Sequence, residues 1–283
     1  MTNRSYIAIV VTALLLTAFL LAGCQPKKKS VTHSSGVFSW SEDVLEGAQR
    51  TELFNTMEEL GLKELYQYFP IGTETQVVNR FVFEAENRGI GVWMLIAEQD
   101  YALNTDNEVL SEQLVKAVIV GRMRGIMVDV QPQMNKLWAE DPNAVMENYV
   151  RILKQGRKAA QEVGLEWAVC VPDYFDEYGQ LKSIIHDGAD TLAVRNYSRG
   201  NEAGKIAESA ALCKKYGCAL INVYALGAPG QNGLEADNTY YGQGMDAVLS
   251  NWETLQGDIG GQMNGVSFSY ALDEYRALSD MVR

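Results

Sequence analysis

Only two histidines, His33 and His186, occur in the 283 residues, which narrows the available chemistry. A Ser-His-Asp triad, a Cys-His pair and a His-rich zinc site all need imidazole at the reacting centre. His33 falls in a polar N-terminal stretch and His186 in a helical one, away from strand ends. No P-loop is present, and no GxGxxG follows a strand-like run. Carboxylate chemistry or binding remains, with no cofactor or metal implied. The sharpest candidates are Asp129 and Gln131, in Gly125-Ile126-Met127-Val128-Asp129-Val130-Gln131-Pro132. Two positions apart on a strand, they point to the same side. Carboxylates and aromatics also follow other β-rich runs: Trp40, Tyr68, Glu98, Asp100, Trp138, Asp173, Tyr197, Tyr224 and Tyr270. Flat rings suit the apolar faces of sugars, and carboxylates suit their hydroxyls. The same rings are also ordinary core residues.

The elements that must hold these residues follow a repeat. Eight β-rich runs are expected at Val37–Trp40, Glu64–Tyr68, Gly91–Ala97, Gly125–Val130, Glu166–Val171, Thr191–Asn196, Ala219–Tyr224 and Gly265–Ser269. Helical stretches are expected near 43–60, 74–88, 107–120, 142–163, 178–187, 202–216, 238–254 and 272–282. Runs such as Ala168-Val169-Cys170-Val171 are apolar throughout, as parallel strands buried on both faces require. Gly61, Gly89, Gly164, Gly188 and Gly217 punctuate the helix ends before the next strand. The repeat predicts one α/β domain, a (β/α)8 TIM barrel over residues 36–283. A doubly wound open sheet is the alternative. It favours a glycine-rich turn after the first strand, where this chain has Ser39-Trp40-Ser41-Glu42. In a barrel the candidates above gather at the C-terminal ends of the strands.

The fourth-strand segment resembles that of family 18 chitinases, glycoside hydrolases in which an Asp-x-Glu pair occupies this place. The third-strand segment Val92 to Leu103, the continuation to Trp138 and the final Gly265-Val266-Ser267-Phe268-Ser269-Tyr270 are similar to chitinase-like barrels of bacterial lipoproteins and secreted proteins. The resemblance implies that the family's acid, a glutamate, is replaced here by Gln131. Met127 stands where chitinases usually place a further supporting Asp. In those enzymes the glutamate protonates the leaving oxygen, and the Asp orients the substrate N-acetyl group that attacks the anomeric carbon. Glutamine has no titratable proton and cannot act as a general acid, a loss worth ~100- to 10,000-fold in rate.

The N-terminal residues read as a targeting segment. Arg4 precedes the apolar run Tyr6 to Leu20, which is short for a membrane span. The run ends in Leu21-Ala22-Gly23-Cys24, which looks like the lipobox of bacterial lipoproteins. That resemblance implies cleavage of residues 1–23 and acylation of Cys24. A tether is expected over 24–35, with Lys27, Lys28 and Lys29 against anionic lipid. The formal net charge of −12 becomes −13 once residues 1–23, charged only at Arg4, are gone. So acidic a chain disfavours nucleic acid as a partner. Three cysteines, Cys170, Cys213 and Cys218, cannot pair completely, so no disulfide framework is expected, although Cys213 and Cys218 could meet where a helix turns into a strand.

Three functions fit this reading. The first is a membrane-anchored, extracytoplasmic barrel that binds a glycan with impaired or no catalysis. The second is an active glycoside hydrolase on a cell-wall or chitin-like polysaccharide, with a carboxylate such as Glu98, Asp100, Asp173 or Asp176 as relocated acid. The third is a scaffold that binds no carbohydrate.

Overall fold

Eight parallel strands close into a barrel in sequential order in the computed structural model, which describes residues 32–98, 108–177, 179–231 and 233–282. The strands are β1 Gly36–Ser39, β2 Glu64–Tyr68, β3 Gly91–Ile96, β4 Gly125–Val128, β5 Glu166–Pro172, β6 Thr191–Arg195, β7 Ala219–Tyr224 and β8 Phe268–Leu272. β8 returns to β1 through Gly36 opposite Ala271, which excludes an open sheet. The connecting helices are α1 Gly47–Glu59, α2 Thr75–Asn87, α3 Glu108–Val120, α4 Pro142–Glu162, α5 Leu181–Ser183, α6 Glu202–Tyr216, α7 Met245–Ile259 and α8 Tyr275–Val282. A π-helical turn, Ile184–Gly188, continues α5. None of the described helices is long and apolar enough to cross a membrane.

Strand alternation builds two cores. Phe38, Tyr66, Trp93, Leu95, Met127, Ala168, Cys170, Ala193, Ile221, Val223 and Ala271 fill the barrel. The residues between them, such as Val37, Leu65, Val128, Val169 and Leu192, meet the helices outside. On α4 the inward stripe is Val145, Tyr149, Ile152, Leu153 and Ala160. The helix is started by Pro142 and by Asp141, whose Oδ1 accepts the Ala144 N–H at 3.0 Å. Gly217, at φ 67°, ends α6 in the left-handed conformation that favours glycine.

Several expected elements shift, two of them at glycines. The eighth strand runs Phe268–Leu272, three residues beyond Gly265–Ser269. Gly265 has φ 82° and closes a turn there. The helix expected at 238–254 begins only at Met245, because Gly242 (φ 70°) and Gly244 (φ 80°) keep the preceding segment in turns.

The N-terminal end, or floor, of the barrel is sealed by residues assigned above to the tether. His33 is 7% exposed. Its Nδ1 lies 2.9 Å from Glu64 Oε2, its Nε2 2.7 Å from Thr191 Oγ1, and its N–H donates to Ser267 Oγ at 2.9 Å. The expectation of a tether through residue 35 is corrected here. Polar composition reads as linker, but these polar groups have partners inside the barrel. Glu64 also accepts from Ser34 N–H (3.0 Å) and Tyr66 hydroxyl (3.0 Å), and pairs with Arg124 at 2.9 Å. Burial works against the charged form of Glu64, yet His33, Arg124 and the Ser34 N–H hold the carboxyl below its ordinary 4.5. Gly36 and Gly125 make room for this floor: a Cβ on Gly125 would sit 2.6 Å from the Trp93 ring, and one on Gly36 2.7 Å from the Glu64 carbonyl.

Candidate functional site

At the opposite end, the mouth, Asp129 follows β4 and faces inward above Met127. Its side chain is only 3% exposed. Arg195, the last residue of β6, spans β5 to reach it: Nε donates to Oδ1 at 3.3 Å and Nη2 pairs with Oδ2. The Cys170 thiol lies beneath this pair, where burial and Asp129 push it up. Arg195 was missed in the sequence. Its phase with Thr191 and Ala193 places a charge on the inward face of an apolar strand, a signal that pointed to it.

The network continues across the mouth. Arg195 Nη1 donates to the Tyr197 hydroxyl, which donates to Asp273 Oδ2 at 2.9 Å. Asp273 Oδ1 accepts the Leu226 N–H at 2.8 Å. The guanidinium carbon stands 5.5 Å from the Phe38 ring centroid and 5.6 Å from that of Trp40, whose Nε1–H donates to the Asp273 carbonyl at 3.1 Å. One arginine thus serves two buried carboxylates. Burial raises Asp273 above its ordinary 3.8, although Arg195 draws it down. Burial opposes the charge on Arg195, but Asp129 and Tyr197 hold it in the charged form. Burial also pushes the Tyr197 hydroxyl up.

Gln131 sits on the rim, half-buried, turned toward the segment after β5. Its Oε1 accepts from Gln133 Nε2 at 3.3 Å, and that amide also donates to the Tyr174 hydroxyl at 2.9 Å. Tyr68 and Glu98 meet on another arc, where burial and then the carboxylates of Glu98 and Glu42 raise the tyrosine. Asp173 lies beyond β5, 4.0 Å from Lys205, and burial raises its carboxyl. A depression of about 370 Å³ between the β1 and β8 loops is lined by Trp40, Ser41, Glu42, Asp43, Glu274 and Arg276.

Three expected rim residues lie elsewhere. Tyr224 is fully buried against the helix layer, with its hydroxyl 2.8 Å from Asn251 Oδ1. Tyr270 packs on Trp252 at 5.2 Å. Both are out of phase with Val223 and Ala271, the inward residues of their strands, so alternation turns them outward. Trp138, in a short 3-10 turn, packs on the outer core. Asp100 and Cys24 lie outside the described residues. Cys170, Cys213 and Cys218 are buried free thiols.

No family model and no curated protein matches the chain. Solved structures share its fold at low identity. A family 18 chitinase from Cycas revoluta in complex with (GlcNAc)3 is 13% identical, with a TM-score of 0.55 over 89% of this chain and 100% of that one. The spore cortex-lytic enzyme SleL of Bacillus megaterium is 12% identical, with a TM-score of 0.54 over 92% and 75% of the two chains. D-psicose 3-epimerase of Clostridium cellulolyticum, solved with D-tagatose, is 12% identical, with a TM-score of 0.55 over 89% and 90%. At such identities the likeness establishes the barrel and leaves the activity to be argued from the site.

Proposed function

We propose that this chain is an extracytoplasmic lipoprotein, anchored through Cys24, whose barrel mouth binds a glycan without hydrolysing it. The observation that carries the reading is the pairing of Asp129 with Arg195. A carboxylate tied to a guanidinium and almost sealed from solvent does not reach a substrate amide. Its neighbour Gln131 has no proton to give. The half-exposed rim, in contrast, presents Trp40, Tyr68, Glu98 and Glu42, ring faces and hydrogen-bond acceptors of the kind a sugar uses. The chitinase, the cortex-lytic enzyme and the epimerase named above support a carbohydrate reading by analogy.

The test uses residues 32–283 on a glycan array, together with release of reducing sugar from chitin-like and peptidoglycan-like polymers. Binding without turnover is expected, and Trp40→Ala with Tyr68→Ala weakens the binding. Gln131→Glu alone stays silent, because Asp129 remains paired. Turnover by the wild type that disappears in Asp129→Asn would overturn the reading. Asp173, raised by its burial, supports a second reading as a hydrolase with a relocated acid. Turnover abolished by Asp173→Asn would establish it. Binding to no glycan would favour a protein scaffold, for which Ile71, Met134, Leu137 and Tyr241 offer exposed apolar contacts on the loops around the mouth.

A further inference from the structure

We infer that the floor of the barrel is its membrane-proximal face, and that the strap Thr32–Ser35 holds the mouth outward from an anionic bilayer. This inference rests on the lipid-anchor reading and adds an orientation to it. The strap is tied to several elements at once: His33 to Glu64, Thr191 and Ser267, Ser34 to Glu64, and the Thr32 carbonyl to Arg124 Nη2 at 2.5 Å. Lys63 and Glu64 N–H groups donate to the Ser35 carbonyl at 2.9 and 3.2 Å. Seven residues, 25–31, stand between the acylated Cys24 and the docked strap.

Chain geometry sets how far that length allows the barrel to turn. From Cys24 to Thr32 the chain spans at most about 28 Å, whatever its conformation. A folded unit of roughly 250 residues has a radius of gyration near 18 Å, which makes a path from floor to mouth over its surface about 70 Å. The tether is too short by more than a factor of two to let the mouth face the bilayer that holds the anchor.

Charge points the same way. Loops around the mouth expose Glu42, Asp43, Glu74, Asp176, Glu235 and Asp237, with Lys136 and Arg276 interspersed. The floor-side loops and helix ends expose Lys63, Arg122, Lys158, Lys214 and Lys215, interspersed with Glu58, Glu86 and Glu162. Anionic headgroups repel the first set and tolerate the second.

The test uses the cleaved, acylated protein (residues 24–283) on vesicles of phosphatidylglycerol and phosphatidylethanolamine whose headgroups carry an energy-transfer acceptor. Lys215→Cys places a donor at the floor, and Asp237→Cys one at the mouth. The three remaining cysteines are buried, which directs the label to the new site. Transfer from the floor probe is expected to exceed that from the mouth probe several-fold. Inserting about thirty Gly and Ser residues after Ser30 extends the reach beyond 100 Å. In 0.5 M salt, where charge steering is screened, this insertion should remove most of the difference. Equal transfer from the two probes without the insertion, or a difference that survives it, would overturn the inference. A protein that stays off the vesicles, or a Cys24→Ala chain freed of residues 1–23 that stays on them, would instead overturn the anchor reading and this orientation with it.

Discussion

The two ends of the barrel are both closed by an arginine and buried carboxylate, yet their charges balance differently. At the floor, Glu64 has four sets of partners, His33, Ser34, Tyr66 and Arg124, and its carboxyl is held below the ordinary value. At the mouth, one arginine serves both Asp129 and Asp273, and Asp273 is raised. A satisfied carboxylate marks an end organised for stability. An under-compensated one beside half-exposed rings marks the end where barrels carry function. The floor lies at the end where charge pairs serve folding, and the mouth at the end whose loops carry half-exposed rings and carboxylates.

The largest effect is expected from Arg195→Met. It leaves two buried carboxylates without their cation and costs about 3–5 kcal/mol of stability, measured by urea unfolding. Adding Asp129→Asn to the same chain should recover part of that loss. A cost below about 1 kcal/mol would show that the mouth is as well compensated as the floor. Glu64→Gln keeps the shape of the floor and loses its charge. It should cost about 1.5–3 kcal/mol and leave glycan binding at the mouth unchanged.

Acid separates the two ends by sign. The folded value of Glu64 lies below its ordinary 4.5, so its contribution is present above that pH and is lost as pH falls through the folded value. The folded value of Asp273 lies above its ordinary 3.8, so its contribution is present below 3.8 and is lost as pH rises through the folded value. The stability gap between wild type and Glu64→Gln should therefore shrink in acid. For Asp273→Asn, acid should move stability in favour of the wild type. Gaps that move together in urea titrations between pH 3 and pH 6, on the order of the carboxylate range, would break the contrast. The smallest effect is expected for Trp40→Phe, which keeps a ring beside Arg195 and removes the hydrogen bond to the Asp273 carbonyl. It should cost about 0.5–1.5 kcal/mol.

Local pattern in the chain determined the barrel and the residues near its mouth. Eight apolar runs spaced by amphipathic stretches call for parallel strands covered on both faces, and the lack of a glycine-rich turn after the first favoured the barrel over a doubly wound sheet; Glu64–Tyr68 and Ala219–Tyr224 match their expected bounds. The inward phase of Asp129 was legible for the same reason. The tertiary structure decided the partners. Asp129 and Arg195 are 66 positions apart, and His33 and Thr191 are 158 apart. Closing the barrel brings strands that are not neighbours in sequence onto one axis, and no periodicity within a segment encodes which side chains then meet. The same closure drew His33 out of the tether, because a side chain's surroundings are set by the elements packed around it, whereas strand alternation alone turned Tyr224 and Tyr270 into the helix layer.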